Sequence, residues 1–557
     1  MTTVLIRIAA AGCLLLLAGC TTFHSTPPNL TKKSGTVLKA TRYHAEVEAQ
    51  DGTKIRMTVW QPALNLARGQ TAPLLIHAHG FALTRMSGPL SFYSLLPTGT
   101  AAQRAWERGY WVISFDQRGH GASEGDVGLI RRDKEGRDVS RIIDWAVRHL
   151  ALSYRDNDPV VGMIGESYGG GVQMMAALND KRIDALVPVT TWFNLEQALL
   201  PNGVPKTDWL LVLAAAGYTM NPTHMSMDVS SGVLKEMFGN GDPLLRRQLR
   251  ENSLIAHCGN EGAPHADALL IQGLRDVLFS VDHALAARDC FRSVGRDVRF
   301  VAIEDGHLNP TSQWSPGLPV WHMQKSVVCD GRTLRTADII DDWLDGKLRD
   351  DSTALARVPG FCFTGDRDTD RALAVGHTDL LWQEMPAARM GSGMSGFFEL
   401  VLKPLDHVGN WFVPARLPRD WQQPKNGWLR PGRIPLMTTD KAQWIAGTPV
   451  VKLDLRDARK PGNVVFLRLA KWRPGSGSYE VLHQQVTAVR ATGPQEIRLP
   501  AVRAELQPGE VLGLLVQGYS SQFRLAGKRF GSRVTVAGQI ALPQATANRH
   551  EVLAGQP

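Results

Sequence analysis

A single serine, Ser167, stands in the run GESYGGG, residues 165 to 171. The residues before it, PVVGMI, are apolar and strand-like, and those after it, VQMMAAL, are good helix formers with no breaker. The G-x-S-x-G spacing predicts a buried strand that enters a helix through a sharp turn. Glycines at its edges let strand and helix pass closely, and the serine at the apex is held in a strained conformation with its hydroxyl exposed. A serine hydroxyl is a weak nucleophile near neutral pH. It needs a histidine base, and the histidine needs a carboxylate to fix its tautomer and stabilise its charge. On a mostly parallel sheet both partners come later in the chain, carboxylate first, on loops at the carboxyl ends of strands. Asp276 directly follows the strand-like ALLIQG, and His307 closes VRFVAIEDGH. Asp282 is a second candidate carboxylate, whereas Asp305 is too close to His307 along the chain for their side chains to meet. Each residue alone has an ordinary explanation: a glycine-rich turn, a helix-capping carboxylate, a surface histidine. Their order and strand-end positions together point to nucleophilic catalysis.

The same chemistry requires donors for an oxyanion. The backbone N–H of Tyr168, just after the nucleophile, is one expected donor, and the N–H of Phe81 in LLIHAHGF, after an early strand, is the other. His77 and His79 alternate on that strand and so share a face, which would suit metal ligands. No third ligand lies near, and neither a metal nor an organic cofactor is expected.

The elements that must position these residues can be read from periodicity. Residues 41–61 alternate in polarity around Asp51-Gly52 and predict a β-hairpin. Strand and helix signals then alternate. In EGRDVSRIIDWAVRHL, Val139, Ile142, Ile143, Ala146, Val147 and Leu150 fall at helical spacing. This is the pattern of an α/β sheet with covering helices. It is interrupted over 194–264 by helix-like stretches without a strand, and it resumes over 265–350. In the insertion, Trp209, Leu210, Leu211, Val212, Leu213 and Tyr218 make one helix apolar nearly all round, so it is expected to bury one side and line a cleft with the other. Residues 351–394 collect Pro, Gly and charge and read as a linker. Regularly spaced short strands over 395–545, FFELVLKPL among them, predict a β-sandwich.

The 557 residues exceed one ordinary core, and 43% hydrophobic with 21% charged residues describe a folded globular chain. The net charge of +9 is concentrated late. Beyond residue 400 basic residues outnumber acidic ones by about two to one, interleaved with apolar residues as on solvated strand faces. No nucleic-acid motif accompanies them, and no nucleic-acid partner is expected. The opening MTTVLIRIAAAGCLLLLAGC carries one early charge, a short apolar stretch and small residues before Cys20. It resembles a bacterial lipoprotein signal, which implies that residues 1–20 are a leader, that Cys20 becomes the acylated first residue, and that 21–40 tether the protein to a bilayer at the cell envelope. Of the remaining cysteines, Cys258, Cys290, Cys329 and Cys362, none has zinc-site spacing. Two disulfides fit an exported chain, with three possible connectivities, and Cys258–Cys290 with Cys329–Cys362 is the expected one. No feature of the sequence sets an oligomeric state.

The run SFDQRGHGASEG (Ser114 to Gly125), then GESYGG, GLRD and DGH, with a helical insertion between nucleophile and aspartate and a late run of strands, resembles the Xaa-Pro dipeptidyl-peptidase, cocaine esterase and α-amino-acid ester hydrolase family. The resemblance covers essentially the whole chain after the leader. It implies an α/β-hydrolase fold with a helical cap, followed by an all-β jelly-roll-like sandwich packed against both. It also implies Ser167 as nucleophile, Asp276 as orienter and His307 as base, acting on a small-molecule ester or amide or a short peptide. The chain departs from the family at one place. Family members often supply a tyrosine hydroxyl to the oxyanion hole from the early loop, where this chain has His79-Gly80-Phe81 as in general esterases, which points away from proline-specific cleavage. A dipeptidyl-peptidase would need acids in the cap to hold a substrate amine, and Glu196 and Asp208 are the candidates. A third reading is a non-catalytic envelope-binding lipoprotein with a vestigial hydrolase domain.

Overall fold

The computed structural model describes residues 37–545 except 92, 93, 95, 221–223, 260–263, 305, 308–325, 330, 364–380, 393–431, 458–462, 477–478, 519, 524 and 527–531. Cys20 with the leader, most of the tether, Asp305 and the expected strand FFELVLKPL lie outside the described residues.

A nine-stranded sheet forms the first domain. Its strands are β1 (Thr41–Glu48), β2 (Lys54–Gln61), β3 (Leu74–Ala78), β4 (Trp111–Phe115), β5 (Val161–Glu166), β6 (Ile183–Val189), β7 (Asp267–Gly273), β8 (Val298–Ile303) and β9 (Phe361–Phe363). They lie in the order β9-β8-β7-β6-β5-β3-β4-β2-β1. The hairpin β1–β2 is antiparallel, and β2 pairs antiparallel with β4. From β4 to β9 every neighbouring pair is parallel. The cause is visible in the residues: β3 and β4 are buried along their whole length, as strands covered by helices on both faces must be. On one face pack the helices Glu135–His149, Tyr168–Ala177 and Val281–Ser293, and on the other Pro97–Glu107 and Thr336–Leu348. All the parallel strands point their carboxyl ends the same way. Ser167, Asp276 and His307 follow β5, β7 and β8 at that edge.

The insertion folds as helices Leu195–Leu199, Thr207–Met220, Met227–Met237 and Pro243–Glu251, whose buried residues Trp209, Leu210, Leu245 and Leu249 join the hydrolase core. The helix Thr207–Met220 buries Trp209 and Leu210, but Leu211 is 57% and Tyr218 45% exposed. Its apolar circumference is therefore only partly covered.

The expected linker over 351–394 is corrected. Residues Ser352–Arg357 are helical, and β9 closes the hydrolase sheet beside β8. Leu381–Ser392 is already a strand of the second domain, paired antiparallel with Ser532–Leu542. Pro359 and Gly360 separate helix Ser352–Arg357 from β9, and Pro386 and Gly391 lie within the strand Leu381–Ser392, so composition alone did not distinguish these elements from a linker. The second domain is all-β: a four-stranded, a five-stranded and a three-stranded sheet enclose a core that includes Leu453, Leu455, Val465, Leu467, Leu512, Leu514 and Ile540. It is not separate from the first domain. Trp444, Ala446 and Ala501 enter the hydrolase core, and Val204 of the cap packs with Val464, Phe466, Val486, Ala488 and Phe523. Cys258 is bonded to Cys290, joining the end of the cap to helix Val281–Ser293, and Cys329 is bonded to Cys362 on β9.

Candidate active site

Ser167 stands between β5 and helix Tyr168–Ala177 with φ 53° and ψ −115°. A non-glycine residue occupies this region only when its surroundings hold it there. Here the Ser167 N–H donates to Val189 O at 2.9 Å, and Thr191 Oγ1 donates to Ser167 O at 2.8 Å. A Cβ at either Gly165 or Gly169 would overlap the Ala78 carbonyl oxygen. Both positions therefore need glycine so that β5 and the helix can lie against β3.

The structure brings the three expected residues together. His307 Nε2 is 3.0 Å from Ser167 Oγ, and His307 Nδ1 is 2.8 Å from Asp276 Oδ2. A carboxylate can only accept, so it fixes the proton on Nδ1 and leaves the Nε2 lone pair facing the serine hydroxyl. Asp276 is fully buried. Its Oδ1 accepts the N–H groups of Leu278 and Phe279 at 2.9 and 2.8 Å, and its Oδ2 accepts from Gln272 Nε2 at 3.1 Å. The His307 ring is held edge-on by Phe279 and Trp209, with centroids 4.9 and 5.8 Å away. This constellation can pass the serine proton to a neutral imidazole and stabilise the cation that results.

Phe81 and Tyr168, the expected oxyanion donors, are neighbours with ring centroids 5.6 Å apart. Behind them lies His120, fully buried, with ring centroids 5.8 Å from Phe81 and 5.5 Å from Tyr168. His77 and His79 are core hydrogen-bonding groups. His77 Nδ1 meets Ser114 Oγ at 2.8 Å, while His79 bonds Gly80 O and accepts the Gln117 N–H at 3.0 Å. Burial pushes His77 down to about 3 and His79 to about 4. The run Ser114 to Gly125 braces this corner. Asp116 holds Arg85 and the Ala122 N–H, and Arg118 bridges to Asp138.

Asp282 lies away from His307. Its two oxygens accept from Thr448 Oγ1 and the Ala501 N–H, each at 2.8 Å, so it latches the all-β domain. Glu196 is paired with Arg250 at 3.0 Å. Asp208 is buried at the start of the cap helix, next to Trp209. Sequence reasoning missed Gln272, Lys206 and Gln485, all buried around the Asp276 loop. Lys206 Nζ donates to Val277 O and Leu278 O at 2.8 and 2.9 Å, and Gln485 Nε2 donates to Leu274 O and Asp276 O at 3.0 and 2.9 Å. The only signal available was one lysine in an otherwise apolar stretch before the cap helix.

The fold is that of an α/β-hydrolase, and the site sets a serine, a histidine and an aspartate in one hydrogen-bonded line. Residues 51–287 match the model of the X-Pro dipeptidyl-peptidase (S15) family. Among curated relatives, an uncharacterized 31.7 kDa protein of Escherichia coli is 34% identical over 115 residues, covering 21% of this chain and 36% of that protein. The quorum-quenching protein AidA of Acinetobacter baumannii is 32% identical over 134 residues, covering 23% of this chain and 40% of that protein. The matches thus span well under half the length of these relatives. Among solved structures, an α-amino acid ester hydrolase superposes with a TM-score of 0.62 at 15% identity, covering 94% of this chain and 98% of its own. An aminopeptidase from a marine sediment Thaumarchaeota archaeon gives 0.60 at 14% identity, covering 95% and 99%. A CocE/NonD family hydrolase from Staphylococcus aureus gives 0.58 at 13% identity, covering 95% and 100%. These likenesses extend the shared fold over both domains.

Proposed function

We propose that the protein hydrolyses an ester or amide through an acyl-enzyme on Ser167. His307 acts as general base and then general acid, Asp276 orients it, and the N–H groups of Tyr168 and Phe81 receive the oxyanion. The observation that carries this reading is the position of His307, within hydrogen-bond reach of Ser167 on one side and of a buried carboxylate on the other. In the first half-reaction Ser167 Oγ attacks the substrate carbonyl while its proton moves to His307 Nε2. The tetrahedral intermediate collapses as that proton passes to the leaving alcohol or amine. Water then repeats the sequence on the acyl-enzyme and regenerates the serine. The family match and the likeness to ester- and peptide-cleaving structures favour acyl transfer as the reaction class.

Within that class a small ester or amide is the first expectation. An aminopeptidase-type substrate is the second, favoured by Asp208, a buried acid one residue from the Trp209 ring that lies against His307. A fluorophosphonate should label the native protein and not Ser167→Ala. Parallel assays with p-nitrophenyl esters, amino-acid amides and Xaa-Pro substrates rank the substrate classes. Absence of labelling in the native protein refutes the proposal and leaves the vestigial-domain reading. We also propose an envelope location through acylation of Cys20, for which Cys20→Ala should accumulate unprocessed precursor. Among the described residues no helix is long and apolar enough to cross a membrane. Release of the native protein by salt alone would refute the acyl anchor.

A further inference from the structure

The loop that carries Asp276, residues 274–279, turns two of its N–H groups inward. The amides of Leu278 and Phe279 point to the Asp276 carboxylate itself, which turns the intervening carbonyls outward. These carbonyls are not taken by sheet or helix partners. Leu274 O and Asp276 O accept from Gln485 Nε2, Val277 O and Leu278 O from Lys206 Nζ, and Phe279 O from Gln272 Nε2 at 2.7 Å. Three donors therefore hold the loop, two of them remote in sequence. Gln272 belongs to β7, Lys206 precedes the cap helix Thr207–Met220, and Gln485 comes from the all-β domain. Gln485 follows two residues with positive φ, His483 at 50° and Gln484 at 59°. A turn of that kind persists where its surroundings over-determine it. Both remote donors are 7% exposed. Burying a lysine is costly, and here burial lowers its pKa to about 8 against the opposing pull of Asp276.

We propose that Lys206 and Gln485 are positioning residues, through which the cap and the all-β domain hold the Asp276 loop in the geometry that orients His307. The inference rests on the Ser167, His307 and Asp276 reading above. Without either donor, two carbonyls lose their partners in a dry site and the loop relaxes to recover them. The carboxylate moves with the loop, and the imidazole moves with the carboxylate. Displacements of about 1 Å in such a constellation cost on the order of 100-fold in rate. Neither donor touches the reacting atoms, so substrate binding is left nearly intact. The arrangement makes catalysis conditional on the docking of all three parts of the chain.

The test uses the full chain, with kcat and KM on a p-nitrophenyl ester and the rate constant of fluorophosphonate labelling. Gln485→Met and Lys206→Met keep side-chain length and remove the donors. Each should lower kcat and the labelling rate about 10- to 100-fold while KM stays within about threefold. In an Asp276→Ala background the same substitutions should cost under about threefold more, because they act through that carboxylate. Thr448→Val, which removes a contact of the all-β domain to Asp282, is the structural control and should keep kcat. Losses that multiply in the Asp276→Ala background, an equal loss in Thr448→Val, or unchanged kcat in both methionine variants would each overturn the proposal. If Gln485→Met does not fold, Lys206→Met carries the same prediction. Asp276→Ala alone retaining full activity would instead refute the underlying triad, a result read separately from the single variant.

Discussion

Acid should destabilise this protein steeply, and histidines are the reason. Burial holds His77 at about 3, His79 at about 4, His120 at about 3 and His283 at about 3. Two of them are committed as acceptors: His79 Nε2 takes the Gln117 N–H, and His283 Nδ1 faces the N–H groups of Phe193 and Asn194. Protonation would set a donor against a donor. In the unfolded chain all four titrate near the ordinary value of about 6.5. Below that pH the unfolded chain binds protons that the folded chain refuses, so stability that is full above pH 6.5 is lost as pH falls. Between pH 6.5 and pH 5 each histidine costs about 1.6 kcal/mol, or about 6 kcal/mol together. The buried Glu135, raised to about 7 by desolvation, works in the opposite sense. It returns about 2 kcal/mol over the same interval. Asp184, also raised by burial, adds a smaller opposing contribution. The net loss of about 3 kcal/mol is a large fraction of the stability of many domains. Urea unfolding at pH 6.5 and pH 5, at equal ionic strength, measures it. The midpoint should fall sharply, and in His77→Gln the dependence should flatten by about 1.4 kcal/mol per pH unit. A midpoint at pH 5 equal to or above that at pH 6.5 would refute the reasoning.

Ser167→Ala and His307→Ala should fold normally and each lose several orders of magnitude in kcat, with the double variant no worse than either, because the pair acts as a unit. Asp282→Ala should lower the unfolding free energy measured in urea by about 1 to 3 kcal/mol and leave kcat within about threefold, since its oxygens bind the all-β domain. A kcat loss as large as that of Asp276→Ala would reverse the assignment of the two aspartates. A chain ending after Phe363 should aggregate and lose ester turnover, because Trp444, Ala446 and Ala501 would leave apolar surface of the hydrolase core exposed. A soluble, active truncation would make the all-β domain an appended module.

The sequence by itself determined what depends on local chemistry. Glycines spaced around Ser167 permit only a close strand-to-helix turn, and the backbone there is strained as that spacing requires. Apolar runs at strand length, separated by helical periodicity, set a parallel sheet, and the order of its strands then brought the loops after β5, β7 and β8 to one edge. That is why Asp276 and His307 could be named from their strand-end positions. Choosing between Asp276 and Asp282 was a matter of direction. The two lie six residues apart, and only the turn made by residues 274–279 sends one carboxylate to His307 and the other to the all-β domain. Pairing of Leu381–Ser392 with Ser532–Leu542 was equally hidden, because a strand's partner 140 or more residues away leaves no local periodic mark. Lys206 and Gln485 read as an ordinary charge and an ordinary amide. What made them partners of the Asp276 loop is burial, which turns an outward carbonyl into a group that must be met. Burial is decided by how the three parts of the chain pack, and no single stretch of residues contains it.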